Sequence, residues 1–199
     1  MKVRNRKIIR HLSWKSLSAN RTRNIVAICA IALTALLFTS LFTIALSINE
    51  GFQQANFRQV GGYAHGSFKR MTEEQYNALK EDPLIAEQGL SRFLGAPSEP
   101  PFNKSITEIR SADENYAKFS FATPTTGRLP EEGTDEAAMD TSVLELLGVE
   151  PELGKKITLT FDVGANSAKQ TTQTFTLCGW WEKDEAMPAS EVFIPNSRV

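Results

Sequence analysis

Residues that carry out chemistry are scarce in this chain of 199 residues, which has two histidines and two cysteines. His11 and His65 lie far apart in the sequence, and Cys29 sits in an apolar run far from Cys178. The sequence has no clustered His and Cys residues of the kind that bind zinc. A Ser-His-Asp or Cys-His site in the body of the chain would have to use His65. We therefore predict no catalytic residues, no cofactor-binding residues and no metal ligands.

Negative charge is missing from the first part of the chain. The first acidic residue is Glu50, whereas eight Lys and Arg residues precede residue 25. The other 14 of the 22 Lys and Arg residues stand against all 23 Asp and Glu residues, so the chain beyond residue 24 carries a net charge of about −9. A basic head, an apolar segment and an acidic body are typical of a membrane protein, and no RNA-binding or zinc-finger motif is present. We predict contact with a lipid membrane and none with nucleic acid.

Charged residues are also absent from residues 25–48, which predict a transmembrane helix. At about 1.5 Å per residue such a helix is roughly 36 Å long, enough to cross a hydrocarbon layer of about 30 Å. A signal peptide is the alternative, and Ala45-Leu46-Ser47 resembles a cleavage site. Since the apolar region of a signal peptide usually has about 7–15 residues, the length favours a retained helix.

The charge distribution also predicts the orientation of this helix. Cations near a membrane span favour the cytoplasmic side, so residues 1–24 are predicted to be a basic cytoplasmic juxtamembrane helix. The body after about residue 49 is then extracytoplasmic, and the protein is located in the cell membrane. Trp14, Arg21 and Arg23 are predicted to anchor the helix at the membrane interface. The basic head either binds anionic lipid as a topology determinant or is a docking surface for a cytoplasmic partner.

One face of the apolar segment carries small residues. Ala35, Thr39 and Thr43 recur at every fourth position, a spacing that allows close contact with a neighbouring transmembrane helix. The alternative is that the Thr hydroxyls bond carbonyls four residues earlier in their own helix. The packing interpretation predicts further transmembrane helices as partners.

The body is predicted to be a small mixed domain. Residues 49–70 are predicted to be a stalk and entry loop, which begins helix-compatible until Gly61-Gly62 and Gly66 end any helix. Capping-box spacing of Thr72 and Gln75 predicts a helix over about 73–81. The other predicted elements are strands 106–110 and 116–121, a long loop 123–140, a short helix in 141–148 with a Gly C-cap, a hairpin of strands 155–163 and 171–181, and a last strand 191–195. The fold class is therefore a membrane-anchored α+β protein, with one N-terminal transmembrane helix before a small extracytoplasmic domain.

Several local motifs favour ordinary structural roles. The acidic pairs at 131–132, 135–136 and 184–185 lack the alternation of a calcium loop, so we interpret them as solvated. Residues 148–156, "GVEPELGKK", have the wrong glycine spacing for a phosphate loop and lead into a strand. Cys178 is expected to be a small buried residue in a strand, and Trp180 and Trp181 are expected to face opposite sides of it.

Longer segments are similar to a known family. "LSWKSLSANRTRNIVAICAIALTALLFTSLFTIAL" resembles the first transmembrane segment of bacterial FtsX-like (MacB-type) ABC transporter permeases, which have a basic entry before the first helix. "GRLPEEGTDEAAMDTSVLELLGVEPELGKKITLTF", "FTLCGWWEKD" and "VFIP" resemble, in order, the extracytoplasmic core domain of that family. The motifs are loose one by one, but their order and spacing cover nearly the whole chain.

The resemblance implies a permease subunit that is not itself an enzyme. Its partner would be a separate cytoplasmic ABC ATPase that binds ATP and moves the transmembrane helices, and this motion would pass to the extracytoplasmic domain for export or extraction. The basic head would then face the ATPase, and Ala35, Thr39 and Thr43 would pack against further helices of the same or a partner permease. Members of the family return to the membrane after the core domain, so the resemblance implies that residues 71–199 are a partial MacB-like core and that the chain is an N-terminal portion.

Two other functions remain open on the sequence. The chain could be a single-pass membrane-anchored extracellular module that binds or senses a ligand. It could also be a membrane-tethered hydrolase that uses carboxylates, for which the sequence offers few catalytic groups.

Overall fold

The computed structural model describes residues 6–97, 99–164 and 169–198, and it divides the chain into two compact units. The units are Met1–Gln53 and Gln54–Val199. Each unit is described by itself below.

The first unit consists of helices. Helix α1 spans Arg6–Ala19, and after a turn at Asn20 a second helix, α2, begins at Arg21 and ends at Gln59. Helix α2 is long and apolar enough to cross a membrane, and none of its apolar window is buried. A signal sequence passes the same test of length and composition. The prediction of a helix over residues 25–48 is confirmed. Helix α2 is longer than predicted, and its 39 residues span roughly 58 Å at about 1.5 Å per residue.

The second unit begins with the last residues of α2 and is a mixed α+β domain. Its helices are α3 (Glu73–Lys80), α4 (Glu114–Phe119) and α5 (Thr141–Leu147), with short 3₁₀ turns at Phe102–Lys104 and Asn196–Arg198. Its strands are β1 (Ser91–Ala96), β2 (Thr107–Ala112), β3 (Thr126–Gly127), β4 (Glu136–Asp140), β5 (Lys156–Val163), β6 (Gln170–Trp181) and β7 (Ser190–Phe193).

Six of these strands close into a barrel-like sheet. The order around the sheet is β6, β4, β7, β2, β1 and β5, and β5 pairs again with β6. The β2–β7 and β4–β6 pairs are parallel, and the remaining pairs are antiparallel. The twelve residues of β6 make closure possible, because its first half pairs with β5 and its second half pairs with β4 and with the short strand β3.

The sheet has an apolar cluster on each face. Alternate residues of all six strands form the larger cluster, including Ile109, Met139, Phe161, Phe175 and Val192, each of them fully buried. A second cluster beneath α4 contains Ala138 and Phe193, which have the opposite parity in β4 and β7. It also contains Trp181, which changes side in β6 because the pairing of β4 with β6 shifts register between Leu177 and Gly179. Period-two alternation, together with this shift in β6, thus fills both sides of the sheet.

Most predicted elements of the body are confirmed. Thr72 and Gln75 make both hydrogen bonds of the capping box at the start of α3. Helix α5 ends at Gly148 in the left-handed conformation, as the glycine C-cap required. The hairpin strands appear as β5 and β6, the strand predicted at 106–110 appears as β2, and the last predicted strand appears as β7. Part of the hairpin loop, residues 165–168, lies outside the described residues.

Two predictions for the body were wrong. The strand predicted at 116–121 is helix α4, because Asp113 caps its N-terminus by accepting from Tyr116 N at 2.7 Å. The loop predicted at 123–140 contains β3 and β4. Strand β4 lies between β6 and β7 and is buried on both faces, so it lacks the alternation that marks a half-buried strand. Strand β1 was not predicted.

Candidate functional site

Helix α2 ends in the second unit at a pair of glycines. Gly61 takes a positive φ of +84°, and Gly62 N donates to Phe57 O at 2.8 Å, which closes the last turn. A Cβ at Gly62 would lie 2.8 Å from the backbone oxygen of Phe119. The sequence "VGGY" therefore ends the helix and brings its end against the backbone after α4, where Tyr63 N donates to Phe119 O at 3.1 Å.

Four side chains form the contacts between this end of α2 and the rest of the second unit, and we call them the α2 junction: Arg58, Tyr63, Phe121 and Asp184. Arg58 Nε lies 2.6 Å from Asp184 Oδ2. The Arg58 guanidinium also lies 4.9 Å from the ring centroid of Phe121, a cation–π distance. The Tyr63 ring contacts Phe121 at 5.4 Å between centroids.

Phe121 takes a backbone conformation that is costly for its residue type. Its φ is +57°, a region that costs a non-glycine residue about 1–2 kcal/mol. Ala122 N donates to Ala117 O at 2.8 Å and holds Phe121 in place as the left-handed residue after α4. Glycine would satisfy the backbone there, but it would supply no ring for Arg58 and Tyr63. Such strain at a contact site is consistent with a functional role of the junction.

A cluster of buried polar residues lies next to the junction, and Asp140 is its structural centre. Asp140 is 1% exposed and caps α5, since its Oδ1 accepts from Val143 N at 3.1 Å and from the Ser142 hydroxyl. Its Oδ2 accepts from Glu191 N at 2.8 Å. One carboxylate therefore holds the start of α5 against β7.

Glu191 is the second carboxylate of the cluster, and its side chain is 12% exposed. Its Oε1 accepts from Tyr116 Oη at 3.0 Å and lies 3.6 Å from Arg110 Nε. Arg110 also bonds Glu108. Burial raises the pKa of Glu191 to about 6, although the Tyr116 hydrogen bond and the Arg110 charge act in the opposite direction. Burial, with the nearby Glu191 charge, raises the pKa of Tyr116 to about 12.

A small cavity connects this cluster to the junction. Its volume is about 10 Å³, close to the space that one water molecule needs. Asp140, Glu191 and Lys183 line it together with Phe121 and Asp184 of the junction. Lys183 Nζ donates to Ser190 Oγ at 3.2 Å. A change of charge in the cluster is thus placed to affect the residues that hold the end of α2.

No protein-family model matches the chain, and no curated protein matches it. The resemblance to FtsX-like permeases therefore stays a prediction.

The structure places the residues predicted for helix packing on α2, where Ala35, Thr39 and Thr43 are all exposed. Thr39 Oγ1 donates to Ala35 O at 2.7 Å, so the local alternative describes this hydroxyl. Thr34 Oγ1 likewise donates to Ala30 O, at 2.8 Å. A role of this face in packing against another helix stays a prediction.

The predicted interface anchors are exposed as well. Trp14 is 74% exposed on α1, and Arg21 and Arg23 are exposed in the first turn of α2. Asn24 Nδ2 donates to Leu17 O at 3.0 Å, a bond that links the start of α2 to the end of α1. Depth in a membrane stays a prediction for all three anchors.

His11 and His65 are exposed, and both cysteines are free thiols. Cys178 is half-buried and its thiol donates to Ala137 O at 3.3 Å. Burial raises the pKa of Cys178 to about 11, which disfavours the nucleophilic thiolate.

The acidic pairs have structural partners. Glu132 accepts from Asn196 N at 2.9 Å and from Ser197 N at 3.2 Å, and these backbone bonds lower its pKa. Glu136 forms an ion pair with Arg128, with Nη2 2.7 Å from Oε1. Among the described residues no group of three His, Cys, Asp or Glu side chains is arranged to hold a metal ion.

Two further motifs have the structural roles expected for them. The segment that resembles a phosphate loop is held along β6, since Gly154 N donates to Leu177 O and Leu177 N donates to Lys155 O. Trp181 is buried and stacks on Phe193 at 5.0 Å, whereas Trp180 packs against the larger apolar cluster on the other face.

Sequence reasoning missed most residues of this site. Asp140 had a detectable signal, because an Asp directly before the helical pattern "TSVLELL" is a typical N-cap. Arg58, Phe121 and Asp184 had none, since their contacts join segments that are distant in the sequence. Glu191 is a charged residue beside the apolar run "VFIP", which gives no sign of its partners.

Proposed function

We propose that this chain supplies the first membrane span and an extracytoplasmic domain of an ABC transporter permease of the FtsX/MacB-like type. In this role it couples ATP hydrolysis by a separate cytoplasmic ATPase to motion of the domain, for export or extraction across the cell membrane. The observation that carries the proposal is the continuity of α2, which extends from Arg21 to Gln59 as one helix and ends one residue after Arg58 of the junction. A continuous helix is stiff, so a displacement of the span would reach the domain.

The charge distribution supports the topology that this function needs. The eight cations before residue 25 favour a cytoplasmic head, and the acidic body follows Glu50 on the other side. Helix α1 carries exposed Ile8, Ile9 and Leu12 among basic residues, a combination suited to a lipid surface or to the ATPase. The span would pack against further helices of the same or a partner permease.

We propose no enzymatic activity and no cofactor for the chain itself, with ATP bound by the partner subunit. Two observations support this. The burial of Cys178 disfavours its thiolate. Ser190, which accepts from Lys183, is 2% exposed and is thus poorly accessible to a substrate.

A single-pass anchored binding or sensor module is the second candidate. The closed sheet and the two apolar clusters of the second unit favour it, because they give that unit a core of its own. Both functions predict the same membrane topology, but only the permease function requires an ATPase partner.

The topology is tested by labelling single cysteines in intact cells. In a Cys29→Ser, Cys178→Ala background, Ser67→Cys is expected to react with a membrane-impermeant maleimide, and Ser16→Cys is expected to react only after lysis. Both serines are exposed in the structure, so accessibility alone does not separate them. A mature protein that begins near residue 48, or the opposite labelling pattern, would contradict the proposal.

The ATPase partner is tested by affinity purification of the full chain from its native membrane. The permease function predicts a co-purified protein with a Walker-A motif and ATP hydrolysis above that of a mock purification. A stable protein with the predicted topology but without ATP hydrolysis would favour the sensor module.

A further inference from the structure

The loop between β6 and β7, residues 182–189, contacts both the junction and the buried carboxylates, and we call it the clasp loop. Lys183, Asp184, Met187 and Ala189 of this loop form part of the cavity wall. Asp184 also pairs with Arg58 at the end of α2. One short loop therefore covers Glu191 and at the same time holds the helix.

The charge of Glu191 is incompletely compensated beneath this loop. The titratable and charged groups that face it are Glu108 and Arg110 on β2, Tyr116 on α4, Asp140 at the end of β4, and Lys183 and Asp184 in the clasp loop. Arg110 is shared with Glu108, and Lys183 donates to Ser190. The Oε2 atom of Glu191 is buried and has no hydrogen-bond partner among the described residues.

We propose that the clasp loop opens and closes with the protonation of Glu191 and thereby adjusts the attachment of α2 to the domain. Ionised Glu191 favours the open loop, because opening hydrates the buried carboxylate. Opening also relieves repulsion among Asp140, Asp184 and Glu191, which line one cavity. Protonated Glu191 favours the closed loop, in which Asp184 stays on Arg58.

The direction of the pH effect follows from linkage. In the closed form the pKa of Glu191 is about 6, above the ordinary value of 4.5 that a hydrated carboxyl has. The closed form therefore binds the proton more tightly, and it is favoured most below pH 4.5. Its advantage is lost as the pH rises through 6. The difference of about 1.5 units corresponds to a rise of about 30-fold in the opening equilibrium. The inference does not depend on the proposed function, since it concerns two states of one loop.

Hydrogen–deuterium exchange of the full chain in detergent tests the inference between pH 5 and 8, after correction for the intrinsic exchange rate. The informative amides are Met187 N, which donates to Asp184 O at 3.0 Å, and Gly62 N at the end of α2. Their protection is expected to fall by about 8-fold between pH 5 and pH 8, which is the part of the change of about 30-fold that lies in this range. In Glu191→Gln the protection is expected to be independent of pH, because the amide still accepts from Tyr116 but does not titrate. The matched control Glu182→Gln changes an exposed carboxylate of the same loop and is expected to keep the wild-type profile.

If Glu191→Gln fails to fold, the variant Tyr116→Phe tests the same inference. Tyr116→Phe removes the hydrogen bond that lowers the pKa of Glu191, so the midpoint of the protection change is expected to move to higher pH. Protection that is independent of pH in the wild-type chain would overturn the inference. A pH dependence that persists in Glu191→Gln, or a midpoint that does not move in Tyr116→Phe, would assign the effect to another group and would also overturn it.

Discussion

At the scale of single residues, the chain departs from ordinary preferences where α2 meets the domain. Phe121 occupies a left-handed position that glycine would take without strain, and its ring contacts Arg58 and Tyr63. Gly62 is required for a different reason, since the backbone of Phe119 lies where a side chain would begin. Both departures bring the end of α2 into close contact with the end of α4.

Gly62→Ala is expected to destabilise the second unit by about 1–3 kcal/mol, because its Cβ would clash with a backbone atom that has little freedom to move. Urea unfolding of the full chain in detergent, followed by the fluorescence of Trp180 and Trp181, measures the change. Gly66→Ala is the matched control, since no heavy atom of the described residues lies within 4 Å of its Cβ position. Equal stability of the two variants would contradict the close approach at Gly62.

At the scale of elements, Asp140 connects three parts of the domain. It ends β4, caps α5 and accepts from the backbone of Glu191 in β7. Because the residue is fully buried, removal of its carboxylate would leave three donors without their acceptor.

Asp140→Ala is expected to lower the free energy of unfolding of the second unit by about 2–4 kcal/mol, since both a helix cap and a buried charged acceptor are lost. Asp135→Ala is the control from the same segment. Asp135 pairs with Arg198 at 2.8 Å but is 58% exposed, so the expected loss is below about 1 kcal/mol. The same urea unfolding measures both, and a loss at Asp140 no larger than that at Asp135 would refute a central role of the buried carboxylate.

The elements that could be predicted from sequence are those with local signals. The capping box of α3, the glycine after α5 and the alternation in β5 and β6 act within a few residues, and each is confirmed. Helix α4 and strand β4 were not predicted, because neither has the hydrophobic periodicity expected for its type of element. The aromatic residues of 116–121 alternate as in a half-buried strand, and only the N-cap Asp113 indicates the helix α4. Strand β4 is buried on both faces, so its sequence has no alternation to detect. The junction could not be predicted, because Arg58 and Asp184 lie far apart in the sequence and no local pattern indicates that they pair.

At the scale of the whole molecule, the sequence is divided between a basic, apolar N-terminal part and an acidic body, and α2 contributes residues to both compact units. Whether this helix transmits motion depends on its stiffness between the apolar segment and Arg58. Side-chain hydrogen bonds to the carbonyls of the preceding turn, made by Thr34, Thr39 and Ser40, leave the backbone helical throughout the segment. The length and continuity of α2 are therefore the properties to perturb.

Seven flexible Gly and Ser residues inserted between Gly51 and Phe52 are expected to leave membrane insertion and folding of the second unit intact but to uncouple the two parts. The control inserts Ala-Glu-Ala-Ala-Lys-Ala-Ala at the same place. At about 3.6 residues per turn this adds close to two helical turns and preserves the face of the helix. Under the proposed permease function, hydrogen–deuterium exchange around Tyr63 in an assembly with the ATPase is expected to change with ATP in the wild type and in the helical insertion, and not in the flexible one. An equal response of both insertions would mean that the attachment at Arg58 does not receive its signal through α2, and coupling in the proposed permease would then have to pass through another helix.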